Sequence, residues 1–162
     1  MPYGRIRSIE EIERVVPNFK NKSKIIVTTN GSFDLIHGAH ARLLNKAKEL
    51  GDYLIVLLNS DESIKRNKGP QRPIIPEIER AYMLSELKAV DYVVIFPQDK
   101  PLEYLARIKP DVHVKGGSVD NKKLKEEIEF IENLGGEYKI FELEHGLSTT
   151  NIIQKILDAY KN

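Results

Sequence analysis

Apolar runs and amphipathic stretches alternate along the whole chain. Ile25, Ile26 and Val27 form a short β-branched run, and residues 53–58 (YLIVLL), 92–96, 112–114 and 138–141 are similarly apolar. Continuous apolar runs are what strands covered on both faces require, so each is predicted as a buried strand. Helical patterning is read between and around them, over residues 8–16, from His40 to about 50, and over 77–88, 102–108, 122–133 and 149–160. In the second of these, Leu43, Leu44, Ala47 and Leu50 share one face and Gly51 is a plausible stop. The stretch from Lys65 to Pro76, KRNKGPQRPIIP, is read as a polar loop stiffened by Pro70 and Pro73.

Strands alternating with helices are the signature of a parallel sheet with crossover helices. The expected fold is therefore α/β: a Rossmann-like three-layer α/β/α arrangement with a mostly parallel five-stranded sheet. A length of 162 residues suits one substantial core, so residues 1–162 are expected to form a single domain with residues 1–23 as an N-terminal helical extension. The 25 basic and 24 acidic residues leave a formal charge of +1, which makes no case for nucleic acid or an anionic membrane as partner. With no cysteine, disulfides, cysteine-ligated zinc and thiol nucleophiles are excluded. The charged N-terminus lacks a secretory apolar core and no run approaches membrane-spanning length, so a cytoplasmic protein is expected.

Open parallel sheets bind ligands at the carboxyl ends of their strands, and there the chain carries NGSFD, NSDES and KGG. The first cluster lies in TTNGSFDLIHGAH, residues 28–40. Asn30 and Gly31 tolerate the angles of a tight turn, and Gly31 admits close approach of a bulky ligand. His37 and His40 fall at a helix N-terminus, where free N–H groups and the helix dipole favour phosphate and imidazoles add hydrogen bonds. Singly, a loop histidine is more often a satisfied surface or core residue; the combination is what points to nucleotide chemistry. Lys65, Arg66, Lys68 and Arg72 suit a triphosphate or pyrophosphate, or form a solvated basic loop. Lys115, Gly116 and Gly117 end a strand as a turn, or let a base or ribose lie on bare backbone. Ser148, Thr149 and Thr150 open the last helix as caps, or as a phosphate grip. His113, inside a strand, is read as structural, and His145 is left open.

GSFDLIHGAH resembles the G-x-F-D…H-x-G-H signature of the cytidylyltransferase-like nucleotidyltransferases, and STTNIIQKI is similar to the start of their C-terminal helix. Within that superfamily the likeness is to D-glycero-β-D-manno-heptose 1-phosphate adenylyltransferases: TNGSFDLIH, LGDYLIVLLNSDESIKRNKGPQRPIIP, ER, AVDYVV, KPDVHVKGG and GLSTTNIIQKI follow that pattern in order. The resemblance implies transfer of AMP from ATP, with Mg2+, to a sugar 1-phosphate, releasing pyrophosphate without a covalent enzyme intermediate. It implies that His37, His40 and Lys68 are catalytic, and that Asn30, Gly31, Ser32, Phe33, Lys115, Gly116, Ser148, Thr149 and Thr150 bind nucleotide with the histidines. Asp34, Lys65 and Arg72 are assigned to the acceptor or its phosphate, no residue is assigned as a metal ligand, and a homodimer is expected.

Some positions depart from the pattern. Ala39 stands where the family has glycine, and its methyl either crowds the nucleotide or is tolerated. Ser32 replaces a frequent cysteine, Ser118-Val119-Asp120 replaces an Asp-Tyr pair, and Leu143 replaces the arginine of glycerol-3-phosphate cytidylyltransferases. The family's frequent sugar kinase partner domain does not fit in 162 residues, so a stand-alone transferase is expected. The alternatives are a CTP-dependent cytidylyltransferase acting on glycerol 3-phosphate or a similar alcohol phosphate, and a regulatory nucleotide-binding module without catalysis.

Overall fold

The computed structural model describes residues 4–117, 121–142 and 146–161. In chain order they form α1 (Ile9–Asn21), β1 (Ile26–Gly31), α2 (Gly38–Lys48), β2 (Tyr53–Asn59), α3 (Asp61–Lys68) and α4 (Glu77–Glu86), then β3 (Tyr92–Phe96), α5 (Leu102–Ile108), β4 (Val112–Gly116), α6 (Asn121–Asn133), β5 (Glu137–Phe141) and α7 (Thr149–Ala159). The five strands make one sheet in the order β3-β2-β1-β4-β5, and every pairing is parallel. The expected α/β three-layer fold is thus present, with a sheet that is parallel throughout.

Both faces of the sheet are covered, which is why the strands read as unbroken apolar runs rather than alternating ones. One face packs Val27, Leu54, Val56 and Leu58 against Leu43, Leu44 and Ala47 of α2 and Ala81 and Leu84 of α4. The other packs Ile26, Ile55, Leu57 and Phe96 against α1, α5 and α6 through Ile12, Leu105, Ile108 and Ile131. Ser8 caps α1 in a reciprocal capping box with Glu11, a pairing that satisfies two orphan donors. The helix runs on through Pro17 to Asn21, five residues beyond the expected end at Val16, and Phe19 stacks on Tyr53 at 3.9 Å between ring centroids.

The basic stretch read as loop from Lys65 is a helix as far as Lys68. Ser60 caps α3 by accepting from the Ser63 N–H, acidic Asp61 and Glu62 occupy the first turn, and Lys65, Arg66 and Lys68 the last. Those charges complement the helix dipole. Only Ser63 and Ile64 are buried, so the segment has no apolar period by which to recognise it.

Strand order reverses between β1 and β4, since β2 and β3 lie to one side of β1 and β4 and β5 to the other. That switch point places the ends of β1 and β4, Asn30-Gly31 and Lys115-Gly116, side by side at the sheet's carboxyl edge.

Candidate active site

A cleft of about 530 Å³ opens at this edge, lined by Asn30, Gly31, Ser32, Phe33, Asp34, His37, His40, Lys68, Arg72, Gly116 and Ser148 to Thr150, with Leu43 and Leu147. A second hollow of about 300 Å³ shares its Asn30-to-Ser32 wall, Lys68 and Gly116, and adds Asn59, Ile64, Asn67, Asp99 and Lys115. Thirteen of the expected residues thus line the cleft, from β1 and the turn after it, the start of α2, the end of α3 and the loop after it, the end of β4 and the start of α7, which are far apart in sequence.

The histidines are held differently from each other. His37 is the N-cap of α2 with extended backbone, and its main-chain N–H donates to Nδ1 of His40 at 3.3 Å. That bond makes Nδ1 of His40 the acceptor, so the neutral ring carries its proton on Nε2. Burial, with smaller contributions from His37 and Lys68, lowers the His40 pKa to about 4. The two rings stack with centroids 3.9 Å apart. Both ring nitrogens of His37 are buried without a hydrogen-bond partner, a costly state for a polar group unless a ligand completes it. Burial and then Arg42 depress its pKa as well.

Lys68, in the last turn of α3, borders both hollows and has no hydrogen bond or ion pair among the described residues. Burial, then the charge of Arg72, lowers its pKa. Lys68 is exposed at the cleft rim, and an ammonium with no hydrogen-bonded protein partner there is available to an anion. Lys65 is placed otherwise: it is exposed, pairs with Glu62 at 2.8 Å, and lines neither hollow. Arg66 pairs with Asp99 at 2.9 Å.

Asp34 is fully engaged. It accepts from Arg72 Nε at 2.8 Å and from the main-chain N–H groups of Ile74 and Ile75 at 2.9 and 3.0 Å. Burial opposes its charge, and these donors more than offset that, leaving the pKa below the usual carboxylate value. Its action is to tie the loop after α3 to the turn after β1, while its main-chain oxygen accepts from the Thr149 hydroxyl. Ser148 caps α7, so Ser148 to Thr150 bring a second helix N-terminus to the cleft beside that of α2 among its lining.

Arg80 went unrecognised in the sequence beyond its place in the ER pair. Its side chain is 1% exposed, and it donates to the carbonyls of Ile75, Ser32 and Asn59 and to Asp61 Oδ1 at 2.6 to 2.8 Å. One guanidinium thereby joins the turn after β1, the end of β2, the start of α3 and the loop before α4. The only early sign was an arginine at a core-facing position of an amphipathic helix.

Ala39 is 4% exposed and is absent from the cleft lining, because it faces the interior from the first turn of α2. Its methyl does not crowd the ligand space. Ser32 contributes its carbonyl to Arg80. His113 is wholly buried in β4. Leu143, His145 and the Ser118-Val119-Asp120 departure lie outside the described residues.

Residues 28–155 match the cytidylyltransferase-like family. The chain belongs to that family. Its relatives include the bifunctional protein HldE of Syntrophotalea carbinolica, 45% identical over 158 residues that make up 98% of this chain and 32% of that protein. The HldE of Helicobacter pylori is 45% identical over 145 residues, 90% of this chain and 30% of that one. The chain therefore spans about a third of the curated relatives it matches. Among solved structures, the lipopolysaccharide core biosynthesis protein of Thermoplasma volcanium superposes with TM-score 0.60 at 32% identity, over 75% of this chain and 97% of that one. The pantoate-beta-alanine ligase of Francisella tularensis, with TM-score 0.64 at 16% identity over 97% of this chain and 79% of that one, shares the fold. Membership of the cytidylyltransferase-like family makes the chain a nucleotidyltransferase.

Proposed function

We propose that the chain transfers AMP from ATP to a sugar 1-phosphate of the heptose 1-phosphate kind and releases pyrophosphate. The observation that carries this reading is the set of unspent donors around one cleft: Nε2–H of His40, the unpartnered His37 ring, the Lys68 ammonium and the N-termini of α2 and α7. These groups suit a polyphosphate on which charge builds during displacement, and phosphoryl-type transfer is mostly positioning and electrostatic stabilisation. In this reading the triphosphate lies in the larger hollow between α2 and α7. The acceptor takes the smaller one, where two lysines and three asparagines suit a hydroxylated phosphate.

An acceptor phosphate oxygen attacks the α-phosphorus. As the new P–O bond forms, the bond to the α–β bridging oxygen breaks and its electrons leave with pyrophosphate. His40 and Lys68 hold the charge that moves onto the leaving oxygens, and no enzyme–nucleotide bond forms.

Among the described residues no cluster of three or more His, Cys, Asp or Glu could hold a metal ion, and the cleft's one lining carboxylate, Asp34, is occupied by three donors. Mg2+ would enter with ATP as its counter-ion and would supply charge neutralisation on the polyphosphate. No helix among the described residues is long and apolar enough to cross a membrane, and this reading assigns a cytoplasmic homodimer.

The deciding experiment measures pyrophosphate release from ATP and from CTP across heptose 1-phosphate, other sugar 1-phosphates and glycerol 3-phosphate. Release with ATP and a sugar 1-phosphate is expected. Release only with CTP and glycerol 3-phosphate would replace the reading with the cytidylyl one, and nucleotide binding without release for any pair would replace it with a non-catalytic module.

A further inference from the structure

A stripe of buried polar side chains crosses β1, β4 and β5 beneath the cleft. The parallel register sets Thr28 beside His113 and His113 beside Tyr138. Side chains alternate faces along a strand, so Asn30 and Lys115, each two residues further on, stand on the same face at the cleft end. The contacts follow that geometry: Thr28 Oγ1 to His113 Nδ1 at 2.8 Å, His113 Nε2 to Asn30 Oδ1 at 3.2 Å, and Lys115 Nζ to Asn30 Oδ1 at 3.2 Å. Lys115 is itself 3.6 Å from Glu127 Oε2, which accepts from the Tyr138 hydroxyl at 2.8 Å.

Donor and acceptor chemistry assigns every proton in this stripe. An ammonium only donates, so the Asn30 atom facing Lys115 is its oxygen. The His113 nitrogen on that same oxygen must then carry the proton, which leaves Nδ1 to accept from the Thr28 hydroxyl. Burial, then the Lys115 charge, lowers the His113 pKa to about 3, in keeping with a neutral ring. With its oxygen held inward by two donors, Asn30 turns its NH2 group outward. Asn30 borders both hollows, and its amide nitrogen has no hydrogen-bond partner among the described residues.

We infer that His113 is a positioning residue: anchored by Thr28, it locks the Asn30 amide with its NH2 toward the junction of the two hollows, as a hydrogen-bond donor to the acceptor phosphate. This rests on the proposed transfer to a phosphate acceptor. A free asparagine amide can turn either its oxygen or its nitrogen to a ligand. An oxygen turned toward a phosphate repels it, so the lock converts an ambivalent side chain into a fixed donor.

Two measurements test it. Long-range 15N–1H spectra of the ligand-free protein should show His113 neutral with its proton on Nε2 between about pH 5 and 8; a proton on Nδ1, or a charged ring, overturns the lock whatever the protein's substrate. Kinetics with ATP and heptose 1-phosphate provide the second. The Thr28→Val/His113→Leu pair removes both polar partners together so that no orphan hydroxyl is left in the core. It should raise KM for the sugar phosphate about tenfold while KM for ATP stays within about twofold. His113→Gln, whose amide N–H can reach the Asn30 oxygen, should recover most of that loss. Equal changes in both KM values, no change, or a glutamine variant no better than the pair would reduce His113 to a core residue. Absence of turnover with every acceptor would instead count against the proposed reaction, with the spectra still deciding the lock.

Discussion

At the scale of single residues, His40 shows how a side chain's role follows from one backbone bond. Because Nδ1 accepts from the His37 N–H, the proton sits on Nε2, and because burial lowers the pKa to about 4, the ring is neutral at physiological pH. In the proposed reaction it would act as a hydrogen-bond donor to developing charge rather than as a cation or a base. His40→Ala should lower turnover by about 10²- to 10³-fold while changing ATP affinity much less, as read by steady-state kinetics beside calorimetric titration. Ala39 carries the opposite lesson. On sequence its methyl, standing where the family has glycine, is expected either to crowd the nucleotide or to be tolerated, and the residue is buried at 4% exposure, away from the cleft lining. Ala39→Gly should leave KM for ATP unchanged and cost about 1 kcal/mol in urea unfolding, through lost helix propensity and a lost buried methyl.

Among the elements, α3 matters most to the site. It carries Lys68 to the meeting of the two hollows, and its start is fixed twice, by the Ser60 cap and by Asp61 on Arg80. The sequence reading missed this helix because a helix is recognised by an apolar stripe, and only Ser63 and Ile64 turn inward here. The cap and the ordering of charges were visible, and they are weaker signals than periodicity. Ser60→Ala should cost about 1 kcal/mol of stability. Since fraying α3 displaces Lys68, turnover should fall further than the lost stability explains; a rate unchanged at temperatures well below unfolding would detach Lys68 from the integrity of α3. Lys65 and Lys68, three residues apart, are neighbours on the helix, and what separates them is pairing: Lys65 is held by Glu62 one turn earlier, while Lys68, one turn later, borders the cleft.

For the molecule as a whole, acid sensitivity follows from buried neutral histidines. His113 titrates at about 3 in the folded protein against an ordinary 6.5, and His40 at about 4. Both pKa values are lowered by folding, so the unfolded chain binds more protons in this interval. The stabilisation is complete above about pH 6.5 and is lost as pH falls toward the folded values. Wild-type unfolding free energy should drop by about 1.4 kcal/mol per pH unit for His113 alone across that window. His113→Gln should flatten the slope by that amount in urea titrations at a series of pH values.

Periodicity, cap residues and glycine positions determined most of the elements and the α/β class by themselves, because burial on one or two faces writes its spacing directly into the chain. The ordered motifs likewise named the residues around the cleft. Only the tertiary structure decided which of them have spare bonding capacity. Asp34 is consumed by Arg72 and two main-chain donors, Lys65 by Glu62, while Lys68 and the His37 ring are left open. It also gave Arg80, on which the sequence was silent, and His113, read as structural, their hydrogen-bond partners. Their partners lie 5 to 85 residues away in sequence, and hydrogen-bond satisfaction between such positions depends on strand order and register, which local patterning does not encode.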